Sequence, residues 1–295
     1  MRRGDMAEPP RRPAVAGQFY PADGAALTQV IEQCFLDPRG PGKLPVRHRT
    51  VDRRIRAAIA PHAGYVYSGP IAAHAYAAIA AERPPSTVLV LGVNHTGRGA
   101  PAALSARDWL TPLGRVPVDP ELVHALDHRP IEVDEAAHTR EHSIEVELPF
   151  LQYVVPFPRF AALTVSMGPV GFLADVAAVV RRAVQGRDVL VVASTDFSHY
   201  IPAGQARRLD RLAIDQIVAR DPNGLYSTVV DQNISMCGIA PTTVLLFATQ
   251  DEPLTARLLR WGHSGETEPM QDVVGYASLL LESQVPLPPA TPAAG

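Results

Sequence analysis

Ile55–Gly69, IRAAIAPHAGYVYSG, is the stretch that decides how the rest of the chain is read. Ile55, Ala57, Ala58, Ile59 and Ala60 make a short apolar run without helical spacing, closed by Pro61. Such a run predicts a strand buried on both faces, and Pro61, with no N–H to give a ladder, stops it. His62 and Gly64 follow the stop, then two tyrosines and Ser68-Gly69-Pro70. Pro70 suits the first position of a helix over Ile71–Glu82, with Ser68 or Gly69 as its cap. A histidine is thereby presented on a turn between the carboxyl end of a strand and the start of a helix. In an open α/β sheet that is where ligands bind.

Outward from this turn the chain alternates. A first helix is expected over about Asp23–Leu36, then a proline- and arginine-rich surface loop, then the strand at Ile55–Ala60. Further strands are expected at Thr87–Val93, Ala102–Ala106, Ala161–Met167, Asp188–Ser194 and Val273–Glu282. Helices are expected near Pro120–Leu126, Ser143–Val155, Val170–Val184, Gln205–Arg220 and Pro241–Thr249. That order predicts a single α/β domain over residues 12–284, with a mostly parallel or mixed central sheet flanked by helices. Residues 1–11 and 285–295, rich in arginine, proline and alanine, are expected to be disordered tails. The 295 residues are 46% hydrophobic with a net charge of −3, so no basic excess points to nucleic acid. No apolar run approaches the roughly 20 residues of a membrane span. Cys34 and Cys237 are too few for a disulfide framework, and Met1–Arg12 has no signal-peptide core. A cytoplasmic chain is expected.

Two more strands end like the first. TVLVLGV runs into Asn94-His95-Thr96-Gly97, and DVLVVAS runs into Thr195-Asp196-Phe197-Ser198-His199. If these strands are parallel neighbours, His62, His95 and His199 converge on one cleft. Two neutral imidazoles with an anionic third ligand suit Fe(II), Cu or Zn. Asp196, Glu145 and Cys237 are the anionic candidates, and by spacing alone Cys237 reads first as a small core residue. In Arg140–Pro149, REHSIEVELP, His142 and Glu145 share a helix face, and the acids Glu141, Glu145 and Glu147 suit the positive end of the helix dipole. His142 gains nothing from that dipole. His74 reads as a packed or surface histidine, and His48, His124, His128 and His263 have no site context.

These motifs carry a resemblance. PHAGYVYSG, VLGVNHTG, EHSIEVELPFL, STDFSHY and the Met-Cys-Gly-x-x-Pro segment at 236–241 stand in the order and at the separations of the Memo family, whose prokaryotic members are called AmmeMemoRadiSam system protein B. VAGQFYPAD at the start resembles that family's opening, and the likeness covers about Arg12–Glu282. Memo proteins resemble class III extradiol dioxygenases of the protocatechuate 4,5-dioxygenase B-subunit type, which hold non-haem iron by two histidines and a glutamate. The resemblance implies a dioxygenase-like fold, His62 and His95 as metal ligands, and Cys237 in the place of the glutamate. It further implies His199 as acid/base with Asp196 beside it, and His142 facing substrate. The chain departs from the human-type pattern, which continues Cys-Gly-Arg-His-Pro and has two consecutive histidines at the strand end. Here the residues are Ile239-Ala240 and His95-Thr96.

The function this implies is a metal-dependent, dioxygenase-like redox protein using Fe(II) or Cu, with Zn behind them. Its expected partners are an AMMECR1-type protein, a radical SAM protein and an unknown small-molecule or peptide substrate. One alternative is a catalytically silent module that binds a protein or peptide in the same cleft. A weaker one is zinc-dependent hydrolysis with His199 as base.

Overall fold

The run Ile55–Ala60 is a strand with all six residues buried, and the core is assembled around it. The computed structural model describes residues 9–47, 52–156 and 158–289. Residues 1–8 and 290–295 of the expected tails, and His48, lie outside them. In chain order the elements are α1 (Gly24–Leu36), β1 (Ile55–Ala60), α2 (Tyr65–Ala81), β2 (Thr87–Val93), β3 (Ala102–Ser105), β4 (Trp109–Thr111) and β5 (Gly114–Val116). Next come α3 (Pro120–Leu126), β6 (Glu132–Val133), α4 (Ser143–Val154), β7 (Phe160–Val165), α5 (Val170–Val184), β8 (Val189–Ser194) and β9 (His199–Pro202). The chain closes with α6 (Ala203–Ala219), α7 (Pro222–Asp231), α8 (Ile239–Thr249), β10 (Leu254–His263) and β11 (Asp272–Ser283). Among these residues no helix is long and apolar enough to cross a membrane.

The main sheet runs β10-β11-β1-β8-β2-β7-β3-β6, with β9 paired to β11. Its centre, β1-β8-β2-β7, is parallel. β11 runs antiparallel to β1 and β10, and β3 antiparallel to β7, so the sheet is mixed. Alternate residues of each central strand feed opposite faces, as the two-residue period requires. Ala57, Ile59, Leu89, Leu91, Val191 and Ala193 pack on the face covered by α3, α5 and α8. Ala58, Ala60, Val88, Val90, Leu190 and Val192 pack on the face covered by α1, α2 and α4. With both faces covered, the strands read as unbroken apolar runs, and each fully buried Leu, Ile or Val contributes about 1.5–3 kcal/mol.

Helix α2 begins at Tyr65, not at Ile71, and Pro70 lies inside it. Proline at that position cannot donate to the carbonyl four residues back, Val66. That carbonyl instead accepts from Thr267 Oγ1 at 3.3 Å and Arg39 Nη2 at 3.4 Å, which makes the interior proline tolerable. Gly92 in β2 lets α4 approach the sheet, since a Cβ there would stand 2.4 Å from Ile144 Cγ1 and 2.6 Å from Ser143 Oγ. Strands β9 and β10, helix α7 and the short β4, β5 and β6 were not anticipated from sequence. Ordered contacts reach into both expected tails. Arg11 is buried, pairs with Glu145 at 2.6 Å and lies over the Trp109 ring. Beyond residue 285, Leu287 N–H donates to the Arg53 carbonyl at 2.7 Å.

Candidate metal centre

Because β1, β8 and β2 are parallel neighbours, the turns at their carboxyl ends open on one edge of the sheet. His62 stands two residues past β1, His95 two residues past β2, and Thr195–His199 follow β8 directly. Cys237 arrives from the opposite direction, on the loop before α8. That loop lies against the β8 end because residue 238 is glycine: a Cβ there would be 2.2 Å from Thr195 Cβ. Ligand atoms of His62, His95 and Cys237 all fall within 4.8 Å of one another. His62 Nε2 and Cys237 Sγ are 3.3 Å apart, close to the ~3.6 Å that ordinary Zn–N and Zn–S bonds span at a tetrahedral angle.

Each histidine is turned to this point by a partner on its other nitrogen. His62 Nδ1 meets Ser194 Oγ at 2.8 Å. His95 Nδ1 meets Glu141 Oε1 at 2.9 Å. Occupying one ring nitrogen leaves the other for a ligand, the arrangement that orients metal-binding imidazoles. Burial, with His142, His95 and His199 adding to it, holds the His62 pKa well below the ordinary histidine value. The ring is therefore neutral and its lone pair is available. Burial pushes the Cys237 thiol up, with Asp196 adding to the rise and hydrogen bonds from the Asp196 backbone, the Thr195 side chain and the Gly238 backbone opposing it. A half-buried thiol this reluctant to ionise, 3.3 Å from a neutral imidazole, fits a position where a cation supplies the missing charge. Two nitrogens and a sulfur suit a soft or borderline first-row metal, so the residues present fit the group that the motifs imply.

The three acids of EHSIEVE have separate duties that the helix-dipole account does not reveal. Glu141 accepts from His95 Nδ1 and from the backbone N–H groups of His95, His142 and Ser143, at 2.7–2.9 Å. Burial alone would raise its pKa, but the His95 bond and charge and the Ser143 N–H win and hold it at about 2. Glu141, His95 and His142 also cluster closely. Both Glu141 oxygens are committed to those N–H donors, so the group serves to anchor His95 and not as a second ion site. Glu145, one of the anionic ligand candidates, points away and binds the N-terminal segment through Arg11, Ala14 N–H, Val15 N–H and Tyr20. Glu147 is fully buried and is hydrogen-bonded to the hydroxyls of Tyr76 and, at 2.7 Å, Ser194. Sequence reasoning missed Glu141, Glu147 and Ser194. The available signal was two glutamates, 145 and 147, inside an otherwise apolar helix run.

His142 stacks on His95 with ring centres 4.6 Å apart and meets His62 edge-on at 5.4 Å, with Phe19 on another side at 4.9 Å. Burial draws its pKa down to about 4, although Glu141 pulls the other way. Asp196 Oδ1 accepts from the His62 N–H at 2.9 Å and its own N–H points to Cys237 Sγ at 3.3 Å, so it ties the ligand turns together. Burial raises Asp196 to about 6 against the charge of His199 and the His62 N–H bond. His199 Nδ1 lies 2.7 Å from the Ser235 carbonyl, which can only accept. Nδ1 therefore carries the proton and Nε2 is the basic nitrogen. Tyr200 is the extra residue of a β-bulge: His199 pairs with Val274 and Ile201 with Val273. It sits at φ 56°, with a 77% exposed ring. Bulges of this kind re-aim side chains beside sites. Ile239 and Ala240, where the human-type pattern has Arg-His, are buried in the core.

A family model described as Memo-like protein matches residues 11–280. A MEMO1 family protein of Methanothermobacter thermautotrophicus is 44% identical over 276 residues, covering 91% of this chain and 99% of its own. One of Methanopyrus kandleri is 43% identical over 280 residues, covering 92% and 98%. Among solved structures, an uncharacterized protein of Escherichia coli K12 superposes with a TM-score of 0.53 at 13% identity, over 77% of this chain and 99% of that one. That last likeness concerns the fold alone.

Proposed function

The chain belongs to the Memo family, and from that premise we propose that it is a metal-binding protein in which His62, His95 and Cys237 hold one ion for dioxygenase-like redox chemistry. The observation that carries this reading is the convergence of two imidazoles and a thiol within 4.8 Å, with both imidazoles already anchored through their far nitrogens. Thiolate in place of carboxylate softens the site and favours Cu(I), Fe(II) or Zn(II) over Mg(II) or Mn(II); the resemblance to dioxygenases puts Fe(II) or Cu ahead of Zn(II). The metal would supply electron transfer or Lewis-acid polarisation to a small substrate. The protein's own part is to present two neutral imidazoles, to give up the Cys237 thiol proton, and to hold His199 Nε2 as a proton acceptor. His142 and Phe19 form a wall beside the histidine pair. Asp196 acts as a positioning residue for His62 and Cys237. An AMMECR1-type protein and a radical SAM protein are proposed as partners, on the strength of the family resemblance.

Tyr200 favours a second reading, a silent cleft that binds a peptide, because an aromatic ring is held outward next to His199 at a strained backbone position. Metal content and oxygen consumption of untagged protein purified without oxygen separate the two. The redox reading expects about one Fe or Cu per chain and a measurable oxygen trace. His62→Ala, His95→Ala and Cys237→Ala should each lose the metal. His199→Ala should keep it while turnover falls by about 10²–10⁴. Stoichiometric metal with no oxygen consumption would favour the silent cleft, and zinc alone would favour hydrolysis.

A further inference from the structure

One buried acid next to the site has no part in the reading above. Glu147 is fully buried in α4, and its hydrogen-bond partners are two hydroxyls, those of Tyr76 and Ser194. Ser194 Oγ stands among three neighbours: His62 Nδ1 at 2.8 Å, the Ser143 carbonyl at 2.8 Å and Glu147 Oε1 at 2.7 Å. Three contacts this short each need a proton between the heavy atoms, and a serine hydroxyl brings one. The Ser143 carbonyl can only accept, so the hydroxyl proton goes there. His62 must then donate from Nδ1, and the remaining proton has to come from the carboxyl group.

We infer that Glu147 is held as a neutral carboxylic acid and, by donating to Ser194, locks His62 in the tautomer that aims its Nε2 lone pair into the cleft. Ser194 Oγ then accepts twice and donates once, which satisfies all of its hydrogen-bonding capacity. With the His62 proton on Nε2 instead, Ser194 would face two acceptors, His62 Nδ1 and the Ser143 carbonyl, with one proton to give. The environment supports a neutral acid. Burial raises Glu147 to about 8 against the Tyr76 and Ser194 hydrogen bonds, and nearby Asp196 adds to the rise. Two residues earlier, Glu145 is also buried but meets Arg11, so one turn of helix holds a paired charge and an unpaired acid. Glu147 is thus a positioning residue, one hydroxyl removed from the candidate ligand. His95 is oriented by an ionised carboxylate and His62 by an uncharged relay, which gives the two imidazoles unequal basicity.

The inference rests on His62 being a ligand, so its test reads the metal-free protein first. In protein carrying ¹⁵N-histidine and ¹³C-glutamate at pH 7, His62, assigned by the signal missing in His62→Ala, should show the Nδ1–H tautomer. The glutamate carboxyl signal missing in Glu147→Gln should have the shift of a protonated acid. Zn(II) competition against a chelator then follows the consequence. Glu147→Gln places an amide nitrogen toward Ser194 and an oxygen toward Tyr76, and should hold Zn(II) within about threefold of the parent. Ser194→Ala should lose about 10–100-fold, the usual effect of removing a partner of a ligating histidine. An ionised Glu147 at pH 7, a His62 proton on Nε2, or a Glu147→Gln loss as large as that of Ser194→Ala would each overturn the inference. A protein that shows both spectral signatures and binds no metal sinks the metal reading and leaves the tautomer lock standing.

Discussion

The two ends of the central strands bury polar groups in opposite ways. At the amino ends of β1 and β8, Asp188 accepts from Arg53, Arg83 and Ser86, and Arg56 meets Glu252 with both carboxylate oxygens at 3.0 Å. Charges there are matched, two arginines on Asp188 and one on Glu252, and burial is outweighed by the arginine bonds, which hold Asp188 below its ordinary pKa. At the carboxyl ends, His62, Asp196 and Glu147 are also buried and Cys237 half-buried, yet each has its pKa driven toward the neutral form. One end is saturated and structural. The other turns an imidazole nitrogen toward a sulfur, and such concentrated desolvation is the mark of a functional-site candidate.

That contrast is broken or sharpened by substitutions at each end. The largest effect is expected at the amino end. Asp188→Ala would strand two arginines, one of them fully buried, and should cost about 3–5 kcal/mol in denaturant unfolding with metal content unchanged. A loss under 1 kcal/mol would show that the pairs are not what holds this end. The next effect belongs to pH. Cys237 must ionise to bind a cation, and burial keeps its thiol protonated through the neutral range. His62, with its pKa depressed, contributes no proton there. Zn(II) affinity should therefore rise by at least about tenfold per unit between pH 6 and pH 8 as the thiol proton is released. A flat profile would point to carboxylate ligands. The smallest effect concerns strain at the site end. Tyr200→Gly relieves a left-handed bulge position that carries an exposed ring, and should raise stability by up to about 1 kcal/mol. A clear loss would mean that the ring is packed and not strained.

Much of the carboxyl end was legible because parallel strands announce themselves. Buried on both faces, β1, β2 and β8 are largely apolar runs, and the polar residues just after each run fall at the site edge of the sheet. His62 and His95 could be placed that way. Cys237 could not, since its approach depends on Gly238 lying against Thr195, a contact across 43 positions that no local pattern encodes. Glu141 and Glu147 hid behind the helix dipole, a sufficient local reason for acids that in fact face different partners. Strand β10 was missed because an edge strand carrying Arg257 and Arg260 has no apolar period to read. Helix α7 was missed because Asp221-Pro222-Asn223-Gly224 looks like a turn, whereas Asp221 is its cap, accepting from Gly224 N–H at 2.8 Å.

The central claim is that His62, His95 and Cys237 form one metal centre, and Co(II) reports on it directly, since a thiolate bound to Co(II) adds a charge-transfer band to the spectrum. Anaerobic titration of the metal-free protein should reach its end point at about one Co(II) per chain with that band present. The band should persist in His199→Ala and vanish in Cys237→Ser. A titration without the band, or one in which Cys237→Ser leaves the spectrum unchanged, would contradict the assignment and return Cys237 to the core.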